Sequence, residues 1–166
     1  MQVLEQKFSW YAVPEDIKRL LVLAAESWED RTLSEQYINQ ALEIDNATNN
    51  DSVDVLVTAY RYFFYKNSND LALKMARRVI NKVINSEHLP DRWEELKPIL
   101  LDRKEDPAIR LYLNAYTASG FMLARLGEPE LAKEIANKVK EVDNRNEFGA
   151  SLVLDILTRP PEEEDE

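Results

Sequence analysis

The chain has 166 residues, 45% of them hydrophobic, which is enough for one domain with a buried core or a short repeat array and too little for two large domains. It has no cysteine and one histidine, His88, which excludes disulfides, thiolate nucleophiles, c-type haem attachment and zinc sites built on Cys or paired His. Thirty-one acidic against 21 basic side chains give a net charge of −10; five of the acids are Glu162 to Glu166, and the −5 left on the rest repels nucleic-acid phosphate and anionic lipid.

The longest purely aliphatic run, Leu20 to Ala25, has six residues, against the roughly 18 that span a bilayer. Met1 to Trp10 contains Glu5 and Lys7 and no apolar stretch of signal-peptide length. The expectation is a soluble, cytoplasmic protein with neither nucleic acid nor membrane as a partner.

Three glycines and no Asn-Gly or Asp-Gly pair argue against antiparallel hairpins, and apolar residues at three and four spacing argue for an all-α fold. After an N-terminal segment, 1–13, a helix is predicted over 14–28 on Ile17, Leu20, Leu21 and Ala24. The next, 33–45, opens at the capping-box spacing of Thr32 and Glu35 and carries Tyr37, Ile38, Ala41 and Leu42. Leu56, Ala59, Tyr60 and Phe63 mark 52–66; Leu73, Ala76, Val79, Ile80 and Val83 mark 69–85. A fifth helix, 91–102, contains Trp93, Leu96, Ile99, Leu100 and Leu101, and Pro98 is expected to kink or split it. Asp106-Pro107 and Glu128-Pro129 put proline at the first helical position of 107–126 and 129–142. A last helix, 148–158, ends before Pro160-Pro161, and the acidic tail 160–166 is too poor in apolar groups to offset its ordering entropy.

No Gly-x-Ser-x-Gly, phosphate loop or dinucleotide fingerprint occurs. His88 sits in the polar turn Asn85 to Pro90, without an evident orienting partner for base catalysis. Asp45 to Leu56 fails as a calcium loop, since Asn50 and Leu56 replace its glycine and its bidentate glutamate. Glu26, Glu29 and Asp30 read as a solvated helix end. No catalytic residue, metal or cofactor is assigned.

Within 113–146, Gly120, Gly127, Ala132, Ala136, Val139 and Asp143 are spaced by seven, five, four, three and four residues. Small side chains at these offsets let two antiparallel helices approach closely, and Gly127 can take the left-handed conformation that ends the first. This stretch, with the run Leu123 to Ala136, resembles a tetratricopeptide repeat, the helix-turn-helix unit of about 34 residues. The same offsets give Tyr60, Asn67, Ala72, Ala76 and Val79 in 53–86, with Asn67 in glycine's place, and Val22, Glu29, Ser34, Ile38 and Ala41 in 15–48. Asn46 and Asn144 stand where the family has its closing proline, and Tyr116 where it has tryptophan. Between Val79 and Val139 the interval of 60 exceeds one repeat by 26, which makes 87–108 an insertion: an inserted helix or a lengthened hairpin packed between units.

The resemblance implies a right-handed superhelical array of antiparallel helix pairs, an α-solenoid within 14–159, with an inserted helix and a C-terminal capping helix at 148–158. It also implies a concave groove formed by successive first helices. In the aromatic run Tyr60 to Tyr65, helical periodicity sends some rings out of the core; on the alignment Tyr60 and Phe63 face the partner helix. The groove then takes Arg61, Phe64 and Tyr65, with Arg19 and Leu23 from the first unit and Asn114, Thr117, Phe121 and Arg125 from the third. Arg and aromatic side chains dominate binding hot spots. The carboxylate clamp of chaperone-binding members is absent, because Asp16, Asp54 and Leu23 stand in the neighbouring positions.

The resulting expectation is a non-enzymatic adaptor or assembly module that binds a protein or peptide segment. Its alternatives are a structural subunit that forms homo-oligomers through its convex face or final helix, and an enzyme acting on an anionic substrate held by Arg61 and Arg125. Autoinhibition by the tail, competing for Arg19, Arg61 and Arg125, is a further expectation.

Overall fold

Eight α-helices and no strand occur among the described residues, 14–47 and 53–158 of a computed structural model, so the protein is all-α. The segment 1–13 and the tail 160–166 lie outside the described residues. The helices are α1 (Glu15–Glu26), α2 (Arg31–Ala47), α3 (Val53–Tyr65), α4 (Asn69–Glu87), α5 (Trp93–Asp102), α6 (Pro107–Arg125), α7 (Pro129–Val142) and α8 (Ala150–Thr158). All eight coincide with helices expected from the apolar spacing.

One helix start and one expected interruption depart from expectation. α2 starts at Arg31 because Asp30, not Thr32, is its cap: Asp30 Oδ1 accepts the Leu33 N–H at 3.1 Å. Thr32 is thereby drawn into the first turn. Of the kink or split expected at Pro98, the split does not occur, since α5 is one helix through it. The proline removes a single backbone bond, and Leu96 and Leu100 on either side of it are buried, so packing holds the helix together.

The chain divides into two compact units, Met1–Met75 and Ala76–Glu166, and α4 contributes to both. In the first, α1 and α2 form a helical hairpin, and α3 packs on both. Its buried residues include Ile17, Leu21 and Ala24 of α1, Ile38 and Ala41 of α2, and Leu56, Ala59 and Phe63 of α3. In the second, α6 and α7 form a hairpin, α8 packs on both, and α5 lies against α7. Its core joins Val83, Leu89, Leu96, Leu100, Ile109, Tyr112, Leu113 and Val142. The 87–108 segment thus forms a helix, and it supplies Leu89, Leu96 and Leu100 to that core; Leu101 is 40% exposed.

Two interhelical turns, 60 residues apart, share one geometry. Asn67 and Gly127 both have positive φ, 64° and 83°. Behind each, the helix closes with the same pair of bonds: Ser68 N–H to Phe63 O (2.8 Å) with Asn67 N–H to Phe64 O (3.1 Å), and Glu128 N–H to Leu123 O (2.9 Å) with Gly127 N–H to Ala124 O (3.3 Å). Beyond each turn, Ala72 and Ala132, Ala76 and Ala136, and Val79 and Val139 are all completely buried. A Cβ on Gly127 would meet nothing within 4 Å, so Gly127→Ala isolates the backbone cost of the left-handed conformation. It is expected to lower stability by about 1 kcal/mol, read as a lower denaturant midpoint at unchanged slope.

α6 and α7 approach closely at Gly120, where an added Cβ would lie 3.3 Å from Ile135 Cγ2. Asp106 caps α6 by accepting the Ala108 N–H at 2.9 Å and also receives Arg103 Nε at 3.0 Å. Arg103, chiefly, and the cap bond hold the Asp106 carboxyl below its ordinary range. The same guanidinium bonds Glu87, so it ties the end of α4 to the α5–α6 turn.

Candidate functional site

The expected groove residues fall in separate units, with Arg19, Leu23, Arg61, Phe64 and Tyr65 in the first and Asn114, Thr117, Phe121 and Arg125 in the second. In the first, the aromatic run divides as helical geometry requires. Tyr60, Tyr62 and Phe63 are buried, Arg61 and Phe64 are half-buried, and Tyr65 is 67% exposed.

These rings form a chain from core to surface. Phe63 meets Tyr62 edge-on at 5.5 Å, Tyr62 meets Trp28 at 5.2 Å, Trp28 meets Tyr65 at 6.5 Å, and Tyr65 meets Phe64 at 5.5 Å. Trp28 itself is 37% exposed. Lys66 donates to the Trp28 carbonyl at 2.6 Å and holds its ammonium 4.5 Å above the Trp28 ring, a cation–π contact. Arg31 donates to Ser68 Oγ at 2.9 Å, and the Tyr62 hydroxyl donates to the Arg31 carbonyl at 3.3 Å while sharing a hydrogen bond with Ser34. The α1–α2 turn is thereby pinned beside the α3–α4 turn, and the exposed Trp28–Tyr65 pair is fixed at that edge. Arg19 is exposed and Leu23 half-buried. Arg61 is engaged with Tyr60: burial raises the Tyr60 hydroxyl pKa, and the charge of Arg61, with its hydrogen bond, partly opposes that rise.

Sequence reasoning missed Trp28 and Lys66. A signal for Trp28 was present, because it continues the buried stripe Ile17, Leu21, Ala24 at helical spacing. Lys66 reaches it from 38 residues away, which no local pattern reports.

In the second unit Asn114 and Phe121 are half-buried and Arg125 is exposed. Thr117, expected on the groove wall, is instead only 2% exposed, and its Oγ1 has no hydrogen-bond partner among the described residues. The reason lies in α6, which buries residues around most of its circumference, among them Tyr112, Ala115, Thr117, Ser119 and Met122. Thr117→Val keeps the shape and removes the orphaned hydroxyl. It is expected to raise stability by about 1 kcal/mol, measured by thermal or denaturant unfolding; a loss of stability would show that the hydroxyl is satisfied. On the same helix Tyr112 stacks on Tyr116 at 5.5 Å, and burial pushes both hydroxyls upward, Tyr116 to about 12.

His88 is exposed at the end of α4 with φ 54°, where the Leu89 N–H reaches back to Ile84 O at 3.0 Å. Its place is that of a helix terminator. Among the described residues no group of three or more His, Cys, Asp or Glu side chains could hold a metal ion, and no helix is long and apolar enough to cross a membrane.

No family model and no solved structure matches the chain. A relative from Azotobacter chroococcum mcd 1 is 33% identical over 138 residues, which cover 81% of this chain and 74% of the relative. The chain belongs to the same family as that relative, the uncharacterized 19.8 kDa protein in the nifW 5′ region.

Proposed function

We propose that the protein is a non-enzymatic, tetratricopeptide-like helical-repeat module that works in the cytoplasm and binds a segment of a partner protein. The observation that carries the binding reading is the exposed Trp28–Tyr65 pair, held at the edge of the first unit by Lys66. A folded chain gains little from leaving two large rings in water, whereas such rings bury much area on association at low entropic cost. Support for the repeat type comes from the shared turn geometry at Asn67 and Gly127 and from the buried Ala, Ala and Val that follow each.

The test is capture from cell lysate by the full chain, compared with Phe64→Ala/Tyr65→Ala. Both rings lie at least partly outside the core, so circular dichroism should be unchanged. The double variant is expected to bind the captured protein about 10-fold more weakly or worse; equal capture would move the binding surface elsewhere. Because the relative is described by its place 5′ of nifW, the product of that gene is the first protein to test.

A second reading, self-association through α8, rests on Leu152, which is 50% exposed. Sedimentation of the full chain decides it: a monomer at micromolar concentration argues against assembly through α8.

A further inference from the structure

The second unit holds a polar cavity of about 190 Å³ that the peptide-binding reading does not use. Its walls come from three places: Lys104 and Glu105 in the α5–α6 turn, Arg110 in the first turn of α6, and the loop between α7 and α8 from Asp143 to Phe148. We propose that this cavity binds a small carboxylate monoanion, with Lys104 and Arg145 as its principal cations and Arg110 as a fixed part of its wall.

Most of the charges around the cavity are already satisfied. Asp143 is buried and spends both oxygens on the loop, accepting the Glu147 and Phe148 N–H groups at 2.8 Å each. That folds the loop into a cup. Arg110 is locked on three sides, by Glu147 Oε1 at 3.1 Å, by the Lys104 carbonyl at 3.4 Å, and by the Phe148 ring 5.0 Å from its guanidinium carbon. The same glutamate meets Arg145 only loosely, at 3.8 Å, and the Arg145 side chain is 82% exposed. Lys104 is half-buried, and among the described residues no ion pair engages its ammonium. Two cationic groups with spare donors therefore face a cavity whose third cation is immobilised.

Balance of charge selects the ligand. Lys104, Arg110 and Arg145 are opposed by Glu105, Asp143 and Glu147, so the cavity is close to neutral as a whole. Two spare cations can balance a single carboxylate, which takes donors from Lys104 and Arg145, whereas the second charge of a dianion such as phosphate would have only Arg110, already paired with Glu147, to meet it. The Phe148 ring offers an apolar wall for a small group attached to that carboxylate. A free small acid and a peptide C-terminus present the same chemistry.

The experiment is a two-dimensional NMR titration of the full chain with N-acetylglycine, a C-terminal glycine peptide and inorganic phosphate. N-acetylglycine is expected to shift amides of 104–110 and 143–148 saturably, and Lys104→Met or Arg145→Met to weaken it about tenfold. Lys133→Met, with the same change in net charge on a residue outside the cavity wall, should leave the affinity within about twofold. A tighter fit of the peptide than of N-acetylglycine would identify a chain terminus as the source; the reverse would identify a free acid. Absence of saturable shifts, equal affinity in Lys104→Met, or response to phosphate alone would each overturn the proposal. Unchanged amide positions outside the cavity confirm that the variants fold.

Discussion

Leu100→Ala is expected to cost about 2–5 kcal/mol, a large part of the 5–15 kcal/mol that typically holds a domain together. Leu100 is completely buried and sits among Val83, Leu96, Ile109, Tyr112 and Leu113. Truncating it removes buried methyl groups and leaves a cavity that four helices must either tolerate or collapse around. The neighbouring Leu101, 40% exposed, is the control: its alanine variant should fall within about 0.5–1 kcal/mol of the parent, because most of its transfer free energy is never gained on folding. Urea or guanidinium unfolding reads both as shifts in midpoint at constant slope. Equal effects from the two leucines would show that α5 is a loosely attached insertion and not part of the core.

Ala132→Leu should destabilise by about 1–3 kcal/mol for the opposite reason, an excess of volume. Ala132 is completely buried, and opposite it Gly120 already lies so close to α7 that a single added carbon would come to 3.3 Å from Ile135 and 3.8 Å from the Ala132 carbonyl oxygen. An isobutyl group can enter only if α6 and α7 separate. Chemical denaturation measures the cost; an unchanged midpoint would contradict the small-residue packing of this hairpin.

Helix positions were legible because their determinants are local. Proline at the first position of α6 and α7, the aspartate before Pro107, and residues able to adopt positive φ at 67 and 127 all act within one turn of where they stand. Small buried residues at fixed offsets were equally legible, since packing between adjacent helices leaves a periodic trace. Failures arose where a distant contact decides the outcome. Pro98 marks a break by its own chemistry, yet burial of Leu96 and Leu100 carries α5 past it. Thr117 looked like a groove residue from alignment alone, and only the packing around α6 places its hydroxyl inside. At the candidate site, Tyr65 was legible as a ring that periodicity turns away from Tyr60 and Phe63. Its neighbour Trp28, and the lysine that fixes it, depend on contacts across more than 30 residues.

The central claim is that the aromatic edge of the first unit is a binding surface for protein. Hydrogen exchange on the full chain, with and without the captured partner, addresses it most directly. Slowed exchange is expected in the amides of 27–31 and 62–68, the turn pair that carries Trp28, Phe64, Tyr65 and Lys66. Protection confined to other segments, with these turns exchanging at their free rate, would contradict it.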